Sequence, residues 1–212
     1  MILKTIMPSL PQLITDDYAA VKSAESEKII AKLLEGLSPV KEPEFCQVSG
    51  IPGSGKSTFC KKHLPKNYLF LSFDQIMISL FGYQQMLKTK GIIAAYQQYE
   101  MTARIIGYEV LRRALQNHLN IMLEHSGTNQ AHLELFKNLP KEGYKTTVDF
   151  IICDIDLAIK RAHKRALETK RYVPEQLIVE RAEKFNQYRQ AYQNLANKVI
   201  SFDGQNNFKI IK

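Results

Sequence analysis

The stretch GIPGSGKST, residues 50–58, decides the fold of this 212-residue chain. It matches the pattern G-x-x-x-x-G-K-[S/T], whose glycines let successive backbone N–H groups point at phosphate oxygens. The apolar run FCQVS (45–49) precedes it and KSTFCKKHL (56–64) continues it, the strand and helix between which the motif binds phosphate. In this motif Lys56 would bind the β- and γ-phosphates and Ser57 would bind Mg²⁺. The predicted nucleotide site consists of Gly50, Ile51, Pro52, Gly53, Ser54, Gly55, Lys56, Ser57 and Thr58.

Short β-rich runs alternate with helical periodicity along the rest of the chain. Strands are predicted at NYLFLSF (67–73), NIMLEH (120–125), TTVDFIIC (146–153) and KVISFD (198–203). This order predicts an α/β fold, with a P-loop NTPase-type parallel sheet flanked by helices on both faces, as in nucleotide kinases. Residues 1–42 predict a helical N-terminal extension packed on or next to the core, and residues 43–212 a P-loop kinase-type domain.

Composition and charge limit the partners. The net charge of +8 favours acidic partners such as nucleotides, sugar phosphates or nucleic acid. The three cysteines show no C-x-x-C spacing, which is typical of reduced thiols. No apolar run approaches the roughly 20 residues of a membrane span, and the N-terminus is a poor signal peptide. We expect a cytoplasmic protein without a membrane partner, although some exported bacterial effectors lack such a signal.

The nucleotide is predicted to be ATP. GTP-binding switches recognise guanine through an Asn-Lys-x-Asp tetrad, whereas NKVIS (197–201) has Ile200 or Ser201 where the aspartate belongs.

An aspartate, Asp74, is predicted at the end of the second strand, the edge where open α/β sheets bind ligands. A carboxylate near the γ-phosphate can align an attacking hydroxyl and accept its proton. The alternative is that Asp74 caps the helix that starts at Gln75.

Three arginines follow the fourth strand. Arg161 and Arg165 are four residues apart on one helical face, and Arg171 begins RYVP in a predicted loop. Guanidinium groups that converge on a transferring phosphoryl group stabilise its charge, which predicts an arginine lid with a catalytic role. The alternatives are a solvated basic face or a nucleic-acid contact, and the absence of interleaved aromatic residues weakens the second.

A glutamate, Glu124, ends the third predicted strand. It could hold Mg²⁺ through water, orient the substrate, or cap the segment after the strand.

In this order the motifs resemble those of the zeta-toxin family of P-loop kinases, over residues of about 42 to 203. The similarity is most specific in the glycine loop and in RYVP (171–174). It implies ATP-dependent phosphorylation of a sugar hydroxyl of UDP-N-acetylglucosamine, with a protein antitoxin as a partner. By this resemblance Asp74 would be the base, and Lys56 would activate ATP. Arg161 and Arg171 would be lid arginines, and Glu124 and Thr128 would contact the sugar nucleotide.

The chain departs from the family pattern in three places. The family's Glu-Gly-Thr corresponds to Glu124–Thr128, two residues longer, so either Ser126 or Thr128 would supply the substrate-binding hydroxyl. Ser72 occupies a position that is often acidic, and an expected acidic contact on the long helix falls near Tyr108 or Glu109.

Three functions are therefore open: a nucleotide-sugar kinase, a polynucleotide 5′-hydroxyl or other small-molecule kinase, and an ATP-binding effector module without catalysis. Lys56, Ser57, Asp74 and the arginines favour an enzyme, because a module that only binds ATP needs no base beside an arginine lid.

Overall fold

The structure is a computed structural model that describes residues 2–211. Helices and strands alternate over most of this range. In chain order they are α1 (Ile2–Ile6), α2 (Gln12–Asp16), α3 (Tyr18–Val21), α4 (Ala24–Leu34), β1 (Glu44–Ser49), α5 (Lys56–His63), β2 (Tyr68–Ser72), α6 (Phe73–Ser79), α7 (Phe81–Thr89), α8 (Ile92–Gln116), β3 (Asn120–Glu124), α9 (Gln130–Asn138), a 3-10 turn (Leu139–Glu142), β4 (Lys145–Ile152), α10 (Ile155–Thr169), α11 (Glu175–Gln193), β5 (Lys198–Asp203) and β6 (Lys209–Ile211).

The strands form one sheet in the order β2-β3-β1-β4-β5-β6. Strands β1 to β5 are parallel, which confirms the predicted α/β class. Val48 near the end of β1 pairs with Glu124, and Glu124 pairs with Ser72 at the end of β2. The carboxyl ends of these three strands are therefore level, and the segments that follow them meet at one edge of the sheet.

The two faces of the sheet are covered by different helices. On one face Val48, Met122 and Ile151 pack against Phe59 and Cys60 of α5. The larger core on the opposite face brings strand residues together with α8, α9 and α11. Apolar residues cover both faces because parallel strands are buried on both sides.

The antiparallel strand β6 was not predicted. Asp203 at the end of β5 accepts hydrogen bonds from the backbone N–H groups of Gln205 and Asn206. Asn207 and Phe208 then adopt positive φ angles of 48° and 60°. This tight turn reverses the chain and pairs Lys209 to Ile211 with β5.

The first four helices pack against the core. Ile6, Met7 and Ile30 are buried in the same cluster as the sheet residues. Both guanidinium Nη atoms of Arg113 on α8 donate to Glu27 on α4 at 2.8 Å. The sequence predicted a helical extension here, and the structure divides it into four helices, the last of which, α4, starts after Ser23, whose side chain forms a capping box with Ser26. The domain boundary at residue 42 stays a prediction.

One carboxyl inside the core is destabilising. Asp149 on β4 faces α5, where its Oδ2 accepts from the Cys46 thiol at 3.5 Å and its Oδ1 is buried without a partner within residues 2–211. Burial raises the pKa of Asp149 above its ordinary 3.8. The protonated carboxyl therefore supports the fold below that value, and stability is lost as the pH rises through the folded-state pKa.

We expect Asp149→Asn to raise the free energy of unfolding at pH 7 by about 1–2 kcal/mol, because it removes an unpaired buried charge. This corresponds to roughly 2–8 °C in the melting temperature, and the advantage should shrink as the pH falls toward about 4. Thermal unfolding at both pH values measures it, with Asp156→Asn on the exposed start of α10 as the control. A lower melting temperature for Asp149→Asn than for the native protein at pH 7 would contradict this assignment.

Candidate active site

The glycine loop forms a cradle between β1 and α5. Gly53 and Gly55 have φ angles of +87° and +106°, and a Cβ on Gly53 would lie 2.0 Å from the carbonyl oxygen of Ala158. No other residue type fits that position without displacing α10. Helix α5 begins at Lys56, immediately after the loop, so its first N–H groups face the cradle.

The lysine of the loop is buried and already positioned. Its Nζ donates to the carbonyl oxygens of Gly50 at 2.7 Å and Ile51 at 2.9 Å. An ammonium has three N–H donors, so one remains for a ligand. Burial lowers the pKa of Lys56 to about 8, although the nearby Glu124 carboxylate opposes that change.

Two cavities meet beside the loop. One lies over the glycine loop and reaches the β5–β6 turn. The other lies beyond Asp74, between α8 and α11. Their shared lining residues are Lys56, Glu124, Arg165 and Arg171. These four charged side chains thus stand at the junction between the two cavities.

Arg171 connects the acidic and hydroxyl groups at this junction. Its Nη2 donates to Oδ2 of Asp74 at 2.5 Å and lies 3.7 Å from Oε1 of Glu124. Its Nη1 donates to Oγ of Ser57 at 3.0 Å, and that hydroxyl donates to Oε1 of Glu124 at 2.5 Å. The sequence placed these four residues in separate motifs, and the structure brings them into direct contact.

Asp74 lies in the first turn of α6, two residues beyond the end of β2, whereas the sequence predicted it at the strand end. Its carboxylate does not cap the helix and is paired with Arg171 instead. Burial raises the pKa of Asp74, but the charges of Arg171, Arg165 and Lys56 outweigh burial and lower the pKa below its ordinary 3.8. The side chain of Asp74 is 41% exposed and that of Arg171 only 11%, so the carboxylate is open to the cavity.

The three predicted lid arginines occupy two places. Arg165 and Arg171 line the junction, and the Nε and Nη2 atoms of Arg165 are buried without hydrogen-bond partners among the described residues. Arg161 lies apart from them: its Nη1 donates to the carbonyl oxygen of Gly204 at 2.9 Å, on the β5–β6 turn. All three arginines line the cavity over the glycine loop, but Arg161 does not reach the junction with the second cavity, and the lid of three arginines stays a prediction.

The loop after β3 presents two hydroxyls in series. Arg181 of α11 donates through Nη1 to Ser126 and, at 2.9 Å, to Thr128. Thr128 is 5% exposed and donates to Oγ of Ser126 at 3.2 Å. Ser126 lines the cavity beyond Asp74, whereas Thr128 lies behind it.

Several residues that line the second cavity were not predicted from the sequence to belong to the site. Arg104 on α8 lies 2.5 Å from Glu100, and both line this cavity together with Tyr96 and Arg181. The acidic contact expected near Tyr108 or Glu109 is not found there: Tyr108 bonds His132, and Glu109 pairs with Arg112 and Arg113. The i, i+4 spacing of Glu100 and Arg104 on the long helix was the one local signal available.

The loop that carries Arg171 is anchored by Tyr83 of α7. Its buried hydroxyl donates to the carbonyl oxygen of Lys170 at 2.7 Å, and Lys170 has a left-handed φ of +57°. Tyr83→Phe removes this bond, worth about 1 kcal/mol or roughly a fivefold change in an equilibrium.

If this site catalyses phosphoryl transfer, we expect Tyr83→Phe to lower kcat by roughly fivefold with an unchanged KM for ATP. Steady-state kinetics with Tyr144→Phe as the control measures this effect, because the Tyr144 hydroxyl makes an equivalent bond to the carbonyl oxygen of Leu119, far from the site. Equal loss of kcat in both variants would show a general effect on stability.

Metal ligands are few. Within residues 2–211, no group of three or more His, Cys, Asp or Glu side chains could hold a metal ion by themselves. Mg²⁺ usually takes only one or two protein oxygens and completes its shell with phosphates and water. Oγ of Ser57 and the buried Oε2 of Glu124, which has no partner in the described chain, fit this requirement.

Comparisons with known proteins agree with this architecture. A family model described as Zeta toxin matches residues 30–211. A search of the curated proteins finds no match. No helix in residues 2–211 has the length and apolar character to cross a membrane.

Solved structures share the fold at low identity. A structure from the PezAT chromosomal toxin-antitoxin system of Streptococcus pneumoniae has a TM-score of 0.68 and 13% identity, covering 90% of this chain and 80% of that one. The AvrRxo1-ORF1:AvrRxo1-ORF2 complex with sulphate ions has a TM-score of 0.61 and 13% identity, covering 94% of this chain and 65% of that one. The same complex with ATP has a TM-score of 0.60 and 13% identity, covering 94% of this chain and 65% of that one. This chain therefore spans just under two thirds of the AvrRxo1 chain.

Proposed function

The chain belongs to the zeta toxin family, and from this premise we propose that it is an ATP-dependent kinase that phosphorylates a hydroxyl of a nucleotide sugar, UDP-N-acetylglucosamine. The family and the fold support a kinase-type function. The choice of nucleotide, acceptor and catalytic residues is our proposal.

One observation carries the proposal: the unpaired donors of Arg165 at the junction of the two cavities. A buried guanidinium with two unpaired N–H groups costs about 1–3 kcal/mol per group unless an anion accepts them. The Nε atom of Arg171 is also buried without a partner in residues 2–211. A phosphoryl group between the glycine loop and Asp74 would satisfy these donors.

The proposed transfer uses the glycine loop and four charged side chains. The loop N–H groups and Lys56 bind the phosphates of ATP, and Asp74 accepts the proton of the acceptor hydroxyl. A bond forms between that oxygen and the γ-phosphorus while the bond to the β-phosphate oxygen breaks. Arg165 and Arg171 stabilise the charge on the group in transfer.

Arg171 would leave Asp74 before transfer. In the structure it pairs with Oδ2 of the carboxylate and makes it a weaker base, and in the proposed transfer the same guanidinium acts on the phosphate. The triphosphate offers a stronger anionic partner, so nucleotide binding would draw Arg171 away and free the base. The lowered pKa of Asp74 keeps it ionised at neutral pH.

Ser57 and Glu124 would hold Mg²⁺. The ion would supply positive charge that offsets the negative charge of the phosphates. Ser57 could keep its hydrogen bond to Oε1 of Glu124, because a lone pair of its Oγ and the unpartnered Oε2 of Glu124 would face the ion.

The second cavity supports an acceptor that carries phosphates. Arg104 of α8 and Arg181 of α11 both bring positive charge to its wall. Burial lowers the pKa of Arg181, and Arg104 lowers it further, as expected for two cations without a full counter-charge. A diphosphate would supply that charge. Ser126, which lines the cavity, is our choice over Thr128 for the substrate-binding hydroxyl.

Arg161 would serve the nucleotide side. It lines the cavity over the glycine loop together with the β5–β6 turn, away from Asp74. We therefore propose that it contacts ATP outside the group in transfer.

A protein antitoxin is a candidate partner, because the PezAT structure that shares this fold is from a toxin-antitoxin system. We place the activity in the cytoplasm, where ATP is made.

Label transfer from γ-labelled ATP tests the proposal. Purified protein receives UDP-N-acetylglucosamine, a 5′-hydroxyl oligonucleotide, or neither, and the labelled product is identified. We expect label on the sugar nucleotide, with Lys56→Ala losing both ATP affinity and transfer.

The other outcomes separate the alternatives. Label on the oligonucleotide alone would establish a polynucleotide kinase, for which the net charge of +8 is also suited. ATP binding without a labelled product on any acceptor tried would favour a module that only binds nucleotide.

A further inference from the structure

A histidine forms part of the acceptor cavity without a role in the proposed transfer. His125 follows β3 directly and lines the cavity beyond Asp74. Its ring stacks on His132 with centroids 3.7 Å apart and planes 7° apart. The edge-on ring of Phe73, 5.8 Å away, covers it from another side. The imidazole is therefore held in one orientation by its neighbours.

The hydrogen bonds fix which ring nitrogen carries the proton. The backbone N–H of Gly127 donates to Nδ1 of His125 at 3.0 Å. A nitrogen that accepts a hydrogen bond carries no proton, so the ring is neutral with its proton on Nε2. This Nε2 has no hydrogen-bond partner within residues 2–211 and is not among the atoms sealed from solvent. Because His125 lines only the acceptor cavity, its N–H donor is open to that cavity.

A buried network holds the carbonyl group of Gly127 in place. The amide nitrogen of Gln47 donates to Ser49 and Tyr192, at 2.8 Å and 3.1 Å. Tyr192 in turn donates to the carbonyl oxygen of Gly127 at 3.0 Å. A Cβ at Gly127 would lie 2.6 Å from the Gln47 amide nitrogen. The carbonyl that follows Gly127 is therefore held by Tyr192, and the N–H that precedes its Cα is held by His125, so the backbone on both sides of Gly127 is restrained.

The stacked partner is also neutral. The oxygen of Gln47 lies 2.7 Å from Nδ1 of His132, which must donate to it. Burial lowers the pKa of His132 to about 3, so its Nε2 is unprotonated and accepts from the Tyr108 hydroxyl at 3.0 Å. Both rings are therefore neutral, and a proton added to Nδ1 of His125 would break its bond from Gly127.

We propose that His125 donates its Nε2–H to an uncharged oxygen of the acceptor molecule, a carbonyl or hydroxyl oxygen, and so contributes to acceptor specificity. This inference rests on the proposed function for the identity of the acceptor. The cavity already provides Arg104 and Arg181 for anionic groups, and a neutral imidazole suits an uncharged oxygen better than these cations do. His125 binds and orients the acceptor, and the proton of the reacting hydroxyl goes to Asp74.

Two substitutions separate the N–H group from the ring. His125→Phe keeps an aromatic ring to stack on His132 but loses the donor. His125→Gln restores an N–H at nearly the same reach. We expect the KM for UDP-N-acetylglucosamine to rise about tenfold in His125→Phe, the value of one hydrogen bond of about 1.4 kcal/mol. The KM for ATP should stay unchanged, and His125→Gln should recover most of the loss.

His163→Phe, on the exposed face of α10, is the matched control, and thermal unfolding checks that each variant is folded. An unchanged acceptor KM in folded His125→Phe, or a His125→Gln variant as impaired as His125→Phe, would overturn the proposal. If the wild type instead phosphorylates the oligonucleotide, the acceptor KM of the same variants is measured with the oligonucleotide. Label transfer by the wild type therefore tests the proposed function before the variants test the role of His125.

Nitrogen NMR of protein labelled at histidine gives a readout that needs no turnover. We expect His125 with Nε2 protonated and Nδ1 unprotonated in the free protein. If no acceptor is phosphorylated, the proposed function fails, but this NMR result would still support the assignment of Nε2–H of His125 as a hydrogen-bond donor. A His125 ring protonated on Nδ1, or on both nitrogens, would overturn the inference in either case.

Discussion

The Asp74→Asn variant is expected to lose about 10²–10⁴-fold in kcat while its affinity for ATP stays at or above that of the wild type. Asparagine keeps the shape of the side chain and can still pair loosely with Arg171, but it cannot accept the proton of the acceptor hydroxyl. Removing a negative charge beside the triphosphate also removes a repulsion. We therefore expect turnover to fall while the affinity for ATP stays unchanged or rises.

Equilibrium binding of ATP and single-turnover label transfer measure these two quantities separately. Asp156→Asn, an exposed carboxylate on α10, is the matched control and should behave as wild type. A turnover of Asp74→Asn within about threefold of the wild type would remove Asp74 as the base. Loss of ATP binding would instead assign it to the nucleotide site.

The second large effect is expected for Arg171→Ala, with a fall in kcat of about 10³-fold, because an arginine that stabilises a transferring phosphoryl group contributes about that much. ATP affinity should fall much less than kcat, since Lys56 and the loop N–H groups still bind the phosphates. The kcat of Arg171→Lys should lie between those of the wild type and Arg171→Ala. An ammonium keeps the charge but loses the forked geometry that reaches both Ser57 and Asp74.

Lys164→Ala provides the control for loss of a cation, as this side chain is exposed on α10 and pairs only with Glu168 at 3.7 Å within residues 2–211. If Arg171→Ala raised turnover, the Asp74 pair would be inhibitory and the catalytic role of Arg171 would be wrong. If Lys164→Ala changed kcat and the KM for ATP as much as Arg171→Ala does, the effect of Arg171→Ala would be due to the loss of net charge.

The sequence predicted the sheet and the glycine loop well, for local reasons. GIPGSGKST constrains its backbone through glycines whose φ angles only that residue adopts readily, and β1 and α5 flank it as the motif requires. The strand runs are short, apolar and separated by helical patterns, which is enough to determine a parallel sheet. The short strand β6 was not predicted, because its pairing depends on the turn at Asn207 and Phe208.

The candidate site was predictable only where a motif carries the residue. Lys56, Asp74 and Arg171 lie in recognisable stretches. By contrast, Arg104 and Arg181 belong to helices α8 and α11, and they meet only because both helices pack at the same end of the sheet.

Arg161 shows the limit of helical spacing. Its separation of four from Arg165 correctly placed both on one face of α10, but a turn of helix is about 5.4 Å long. That distance puts one guanidinium at the junction and the other against Gly204. Tertiary packing decides which arginine lies at the junction of the two cavities, and no local pattern contains that information.

The central claim is that Asp74 and Arg171 separate so that the carboxylate meets the acceptor and the guanidinium meets the phosphate. A crystal structure with Mg²⁺, an unreactive ATP analogue and UDP-N-acetylglucosamine tests it most directly. We predict an Asp74 carboxylate oxygen about 2.6–3.2 Å from one sugar hydroxyl, with Arg171 and Arg165 bonded to the γ-phosphate. An intact Asp74–Arg171 pair in the ternary complex, with the sugar nucleotide bound elsewhere, would contradict it.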